Sequence, residues 1–176
     1  MPERRNIKSR AVEICVRADK EWERGRLRAA FRLMIVAAKM GESGAQVNVG
    51  YMYDNGIGTR CNKQEALSWY RRAYRRGLSG AAHNIGTVWR DEGNFSRALY
   101  WFGRALQMNG GDDGEANLEI AKLYLGKGRD PRKAKALLRK VCKSKNVTQD
   151  GVEQAQRLLK QMRHGPQMRP KRRSLS

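Results

Sequence analysis

The chain has 176 residues, 40% of them hydrophobic, and carries 37 Lys and Arg against 17 Asp and Glu, a formal charge of +20. That length suits one compact domain or a short repeat array, and the absence of any run of about 18 apolar residues excludes a membrane-spanning helix. The charge favours polyanionic partners, whether nucleic acid, anionic lipid or an acidic protein face, although much of it could also sit on solvated helix faces.

The first stretch, Met1 to Arg10, is polar and basic, without the apolar centre of a secretory signal. The most apolar run, residues 27–38, is interrupted by Arg28 and Arg32. A cytoplasmic location is therefore expected. Cys15, Cys61 and Cys142 are odd in number and widely spaced, which reads as reduced thiols rather than a disulfide framework. With only His83 and His164 besides, neither a metal site nor a cofactor is expected.

Along the chain, Ala30, Ala66, Ala98 and Ala134 recur at spacings of 36, 32 and 36 residues. Seven residues after each stands another small or apolar side chain: Ala37, Ala73, Ala105 and Val141. A period in the thirties is that of stacked helical hairpins, each of which must bury its apolar face on a neighbour. Gly50, Ala66 and Ala73 are the positions where two helix backbones can approach closely. Trp69-Tyr70 and Trp101-Phe102 are assigned to the core rather than to a base-stacking platform. Ala18, Gly25 and Ala30 suggest an N-terminal hairpin whose Trp22 falls one residue from the expected aromatic position. Ala121, Tyr124, Gly128 and Ala134 suggest a fourth hairpin. Residues 150–163, with Val152, Ala155, Leu158, Leu159 and Met162 on one face, predict a capping helix.

The stretch from Ala45 through Gly50, Tyr53, Gly56 and Gly58 to Ala66, Trp69, Tyr70, Ala73 and Gly77 resembles one complete Sel-one-like repeat, A-x-x-x-L-G-x-x-Y-x-x-G-x-G followed by A-x-x-W-Y-x-x-A and a glycine. The next stretch, with Gly86, Trp89, Gly93 and Ala98, resembles the shorter tetratricopeptide repeat. The resemblance covers about residues 30–145 and implies an all-α, right-handed α-solenoid of about four helical hairpins plus the C-terminal capping helix. The repeat domain is expected to span 1–163, and Pro166, Pro170 and the run Arg169-Pro170-Lys171-Arg172-Arg173 predict a disordered basic tail at 164–176.

The family resemblance also implies a concave groove lined by the first helix of each hairpin, holding protein ligands as an adaptor or scaffold does. Matching those helices gives Asn48, Asn84 and Glu119 as equivalent groove positions, with Tyr51, Thr87 and Lys122 three residues on and Arg90 one turn beyond Thr87. Asn48 and Asn84 could hydrogen-bond an extended peptide or instead bridge neighbouring repeats. Carboxylate capture, as in some tetratricopeptide domains, is not expected, because Gly80 stands where that clamp would want a cation.

The cations cluster. Arg71, Arg72, Arg75 and Arg76 form a double i, i+4 row on a second helix. Nine Lys and Arg lie between Lys127 and Lys145 against the single acid Asp130, among them Arg132, Lys133, Lys135, Arg139, Lys140 and Lys143. This basic face is expected to hold an acidic protein partner, with nucleic acid as the alternative. No local motif supports a catalytic triad or a phosphate-binding loop, so an enzyme and a small-molecule substrate are not expected. Gly110-Gly111-Asp112-Asp113-Gly114 lacks the alternating oxygens of a calcium loop, and Asp112 or Asp113 is read as the cap of a helix beginning near Glu115.

Overall fold

The computed structural model describes residues 2–126 and 130–164, and every regular element among them is an α-helix. In chain order these are α1 (Pro2–Glu23), α2 (Leu27–Lys39), α3 (Ser43–Asn55), α4 (Lys63–Tyr74), α5 (Ser79–Asp91), α6 (Phe95–Met108), α7 (Gly114–Leu125), α8 (Pro131–Val141) and α9 (Gln149–His164). Lys127, Gly128, Arg129 and residues 165–176, most of the tail expected from the sequence, lie outside the described residues.

Local chemistry starts these helices where the sequence changes from turn to periodic pattern. Asn62 accepts hydrogen bonds from the Gln64 and Glu65 backbone N–H groups, both at 3.1 Å, and so caps α4. Asn94 caps α6 through Arg97 N–H at 3.1 Å, and Asp113 caps α7 through Ala116 N–H at 2.8 Å. Asp130 caps α8 through Lys133 N–H at 3.0 Å, with Pro131 in the first turn, where its missing N–H costs nothing. Thr148 starts α9: its hydroxyl accepts from Gly151 N–H at 3.1 Å and donates to Glu115 at 2.6 Å. Each such cap is worth about 0.5–2 kcal/mol. The expected capping role in the Gly110–Gly114 loop thus falls to Asp113.

The chain forms two compact units that divide after Gly111. In the first, α1 pairs with α2, α3 with α4 and α5 with α6, and the hairpins stack through α2 on α3 and α4 on α5. In the second, α7 and α8 pair and α9 packs on both. The four hairpins and the final helix are those the repeat spacing predicts.

The cores are layered with small residues at the closest crossings. Ala66, Ala73, Ala98 and Ala105 are fully buried, as are Tyr70 and Phe102, while Trp101 is half-buried. A Cβ added at Gly50 of α3 would lie 2.5 Å from the Tyr70 ring, and one at Gly86 of α5 would lie 2.7 Å from Phe102. In both hairpins the aromatic ring of the second helix rests directly on the bare backbone of the first. Edge-on ring pairs join successive layers, Phe31 with Tyr53 at 5.2 Å and Tyr74 with Trp101 at 5.1 Å. The longer loop after α3 turns through Gly58 at φ +68°, where a side chain would collide with the Leu27 carbonyl at the start of α2. The G-x-G signature is therefore an inter-hairpin contact as well as a turn. In the second unit Leu118, Ala121, Leu138, Val141 and Ala155 form the core.

Gly50→Ala and Gly86→Ala are each expected to destabilise the chain by about 1–3 kcal/mol, because the ring must move off the backbone. Gly103→Ala, in the interior of α6 with open space around the new methyl, should stabilise it by about 0.5–1 kcal/mol. Urea denaturation of the three variants decides this, and equal responses would remove the packing argument.

Candidate functional site

The residues expected to line a groove fall on the first helices of their hairpins. In α3, Gly50 faces Tyr70 of the second helix, which turns Asn48 and Tyr51 away from the core; both are exposed. The Asn48 amide approaches Met34 Sδ of α2 at 3.9 Å, so this residue does touch the preceding hairpin. In α5, Asn84, Thr87 and Arg90 are half-buried, and Arg90 pairs with its neighbour Asp91 at 2.9 Å. In α7, Glu119 is buried and Lys122 donates to it at 2.7 Å. An ion pair already engages those two, unlike Asn48 and Tyr51.

Asn48 and Tyr51 share a cavity of about 300 Å³ with Asp19, Trp22 and Glu23 of α1, Met34 of α2 and Met52 of α3. Met34 and Met52 are buried and form its floor, whereas Trp22 and Tyr51 remain 40% and 47% exposed. Asp19, Trp22 and Glu23 stand at i, i+3 and i+4, hence on one face of α1. A different face of the same helix, with Ala29, Arg32 and Leu33 of α2, lines a larger depression through Arg17, Lys20, Glu21 and Arg24. There Arg24 donates to Glu21 at 2.8 Å and Arg26 at 3.4 Å, and the Arg24 hydrogen bond holds the Glu21 carboxyl below its usual range. Thus α1 sorts its charges by face.

The cations of the expected basic face have unequal work. On α4, Arg72 stacks over Trp69 with its guanidinium 4.4 Å from the ring centroid, and just beyond the helix Arg76 donates to the Gly41 carbonyl between α2 and α3. Arg71 and Arg75 are exposed and form no ion pair among the described residues. On α8, Lys133 closes back on Asp130 at 3.2 Å, and this lysine, through the hydrogen bond from its backbone N–H first of all, holds the Asp130 carboxyl below its usual range. Arg132, Arg139, Lys140 and Lys143 are exposed and unpaired among the described residues, and Lys135 is half-buried. Among the described residues no cluster of three or more His, Cys, Asp or Glu is placed to hold a metal ion, and no helix is long and apolar enough to cross a membrane.

The Sel1 repeat model matches this chain three times, at residues 43–78, 80–110 and 114–146. The chain belongs to the Sel1 repeat family. A sel1-like repeat-containing protein of Acanthamoeba polyphaga mimivirus is 32% identical over 63 residues, which is 36% of this chain and 12% of that protein's length. Among solved structures, a Sel1 repeat protein from Oxalobacter formigenes superposes with a TM-score of 0.66 at 22% identity, covering 85% of this chain and 62% of that one. YrrB, described as a TPR protein with an unusual peptide-binding site, gives a TM-score of 0.59 at 18% identity over 89% of this chain and 79% of its own. These likenesses show a shared helical-repeat fold. The three Sel1 matches begin at α3, so the cavity lies at the seam between the first matched repeat and the hairpin that precedes it.

Asp19, Trp22, Glu23 and Met34 were not among the groove residues expected from sequence. The available signal was Trp22 itself: an aromatic displaced from the core position of its hairpin has to point elsewhere. Trp22→Phe should therefore remove more acrylamide-quenchable fluorescence than Phe at Trp69, Trp89 or Trp101. It should also shift stability by no more than about 0.5 kcal/mol. Trp69→Phe, at a 5% exposed position, should destabilise by about 1–3 kcal/mol instead.

Proposed function

We propose that this Sel1 repeat protein is a non-catalytic binding module, an adaptor or an inhibitor of the immunity type, whose protein partner presents an acidic surface to its cationic helices. Repeat proteins of this family are in general protein-interaction scaffolds. The observation that carries the acidic partner is the set of exposed cations that form no ion pair among the described residues, Arg71 and Arg75 on α4 and at its C-cap and Arg132, Arg139, Lys140 and Lys143 on α8 and just beyond it.

Two physical points support this reading. Arg132, Lys135 and Arg139 recur at i, i+3 and i+7 on one stripe of α8, so their mutual repulsion is relieved only by solvent ions or by an acidic ligand. The three remaining cations, Arg72, Arg76 and Lys133, are held by contacts that the fold itself uses, and removing them would test stability rather than binding. The three free cysteines, one of them the exposed Cys61, suit a cytoplasmic location where thiols stay reduced.

The test is an affinity-tagged full chain incubated with nuclease-treated lysate of its source cell at about 0.1 and 0.5 M salt, spanning a change in Debye length from about 10 to 4 Å. Acidic proteins retained at the lower salt and released at the higher support the reading. Arg71→Glu/Arg75→Glu or Arg132→Glu/Arg139→Glu/Lys140→Glu should weaken that capture at least about tenfold. Capture that disappears with nuclease would point to nucleic acid instead, and no retained protein at either salt would end the proposal.

A further inference from the structure

The cavity between α1 and α3 has the opposite polarity to the chain as a whole. Two carboxylates, Asp19 and Glu23, line it together with two exposed aromatic rings, Trp22 and Tyr51, and the thioethers of Met34 and Met52. No lysine or arginine lines it, in a chain with 37 of them against 17 acids. Neither carboxylate takes part in an ion pair or hydrogen bond among the described residues, whereas the nearby Glu21 is engaged by Arg24 and Arg26. Asp19 and Glu23 stand at i, i+4, a like-charge spacing that weakens the helix slightly.

From this arrangement we infer that the pocket is a receptor for a cationic side chain, a lysine or arginine presented by a bound protein segment. The aromatic faces carry negative quadrupole potential toward a cation, and the carboxylates supply hydrogen-bond acceptors for an ammonium or guanidinium. The buried methionines give the aliphatic stem of that side chain an adaptable apolar floor. A neutral ligand would strip water from two carboxylates without compensation, and an anion would be repelled. At about 300 Å³ the cavity accommodates one long side chain and is at the lower limit of size for a drug-sized ligand. Asn48 stands at its edge, exposed, with no hydrogen bond to its side-chain oxygen among the described residues; that oxygen can accept from the peptide backbone of the segment carrying the cation.

The inference rests on the reading of the chain as a protein-binding module only for the origin of the cation. Its test uses no partner, so the two can fail separately. With the full isotopically labelled chain, the four Trp indole N–H resonances are followed by NMR while N-acetyl-arginine amide, N-acetyl-lysine amide and the neutral isostere N-acetyl-citrulline amide are titrated in turn. The expected result is a saturable shift of the Trp22 indole with one or both cationic amides, at least about tenfold weaker with citrulline. Asp19→Asn/Glu23→Gln should weaken the response by a similar factor while leaving the remaining backbone spectrum in place, which separates lost binding from lost folding. Tyr51→Phe should retain it and Tyr51→Ala should reduce it, since the ring face rather than the hydroxyl is used. An equal response to citrulline, a response unchanged in the Asp19→Asn/Glu23→Gln protein, or no saturable shift with either cationic amide overturns the inference.

Discussion

The arrangement depends on an aromatic ring packed directly against a helix that has no side chain at the point of contact. Tyr70 on Gly50 and Phe102 on Gly86 are the same contact made in consecutive hairpins. Each ring is fully buried, so the contact contributes apolar burial and also fixes the rotation of the first helix about its own axis. With about 100° between successive residues, a helix that turns Gly50 inward carries Asn48 about 160° and Tyr51 about 100° round the axis, off the packed face. The same rotation in α5 sets Asn84 and Thr87. The face available for binding thus follows from the face used for packing.

That coupling explains which parts were legible in the sequence. Ala66, Ala73, Ala98 and Ala105 recur because helix pairs need small residues where they cross, and a regular spacing of small residues is visible without coordinates. A cap in the Gly110–Gly114 loop was equally plain, since a cap acts within three residues of itself, and Asn62, Asn94 and Asp130 follow the same rule in the structure. Asn48 and Tyr51 were accessible through the equivalence of repeats. Asp19 and Glu23 were not, because the hairpin formed by α1 and α2 departs from the repeat pattern and nothing in α1 alone says what α3 brings opposite it. Glu119 and Lys122 show the converse limit: matched by repeat equivalence as groove positions, they stand at i, i+3 and engage each other in a salt bridge.

Charge is the property that sequence reports most readily and interprets least well. A count of cations treats Arg71 and Arg72 alike, although one is exposed without an ion pair and the other is laid over Trp69. It also averages over α1, where Arg17, Lys20 and Arg24 line one depression and Asp19 and Glu23 line another. At physiological salt the Debye length is about 8 Å, shorter than the roughly 10–12 Å across a helix with its side chains, so these two faces present separate fields to anything that docks.

Separate fields allow the two electrostatic proposals to work on one partner. As proposed, the exposed cations of α4 and α8 would act at a distance, raising the encounter rate with an acidic surface and fading as salt rises. The α1–α3 pocket acts only on contact, where water is displaced and a carboxylate is worth more than it is in solution. A partner that is acidic overall but places one lysine or arginine in the pocket would satisfy both, and a uniformly acidic one would be attracted and then rejected. A net charge of +20 attracts many polyanions and distinguishes few of them. Discrimination has to come from a site whose sign disagrees with that field, and the carboxylates beside Trp22 and Tyr51 are the site proposed for it.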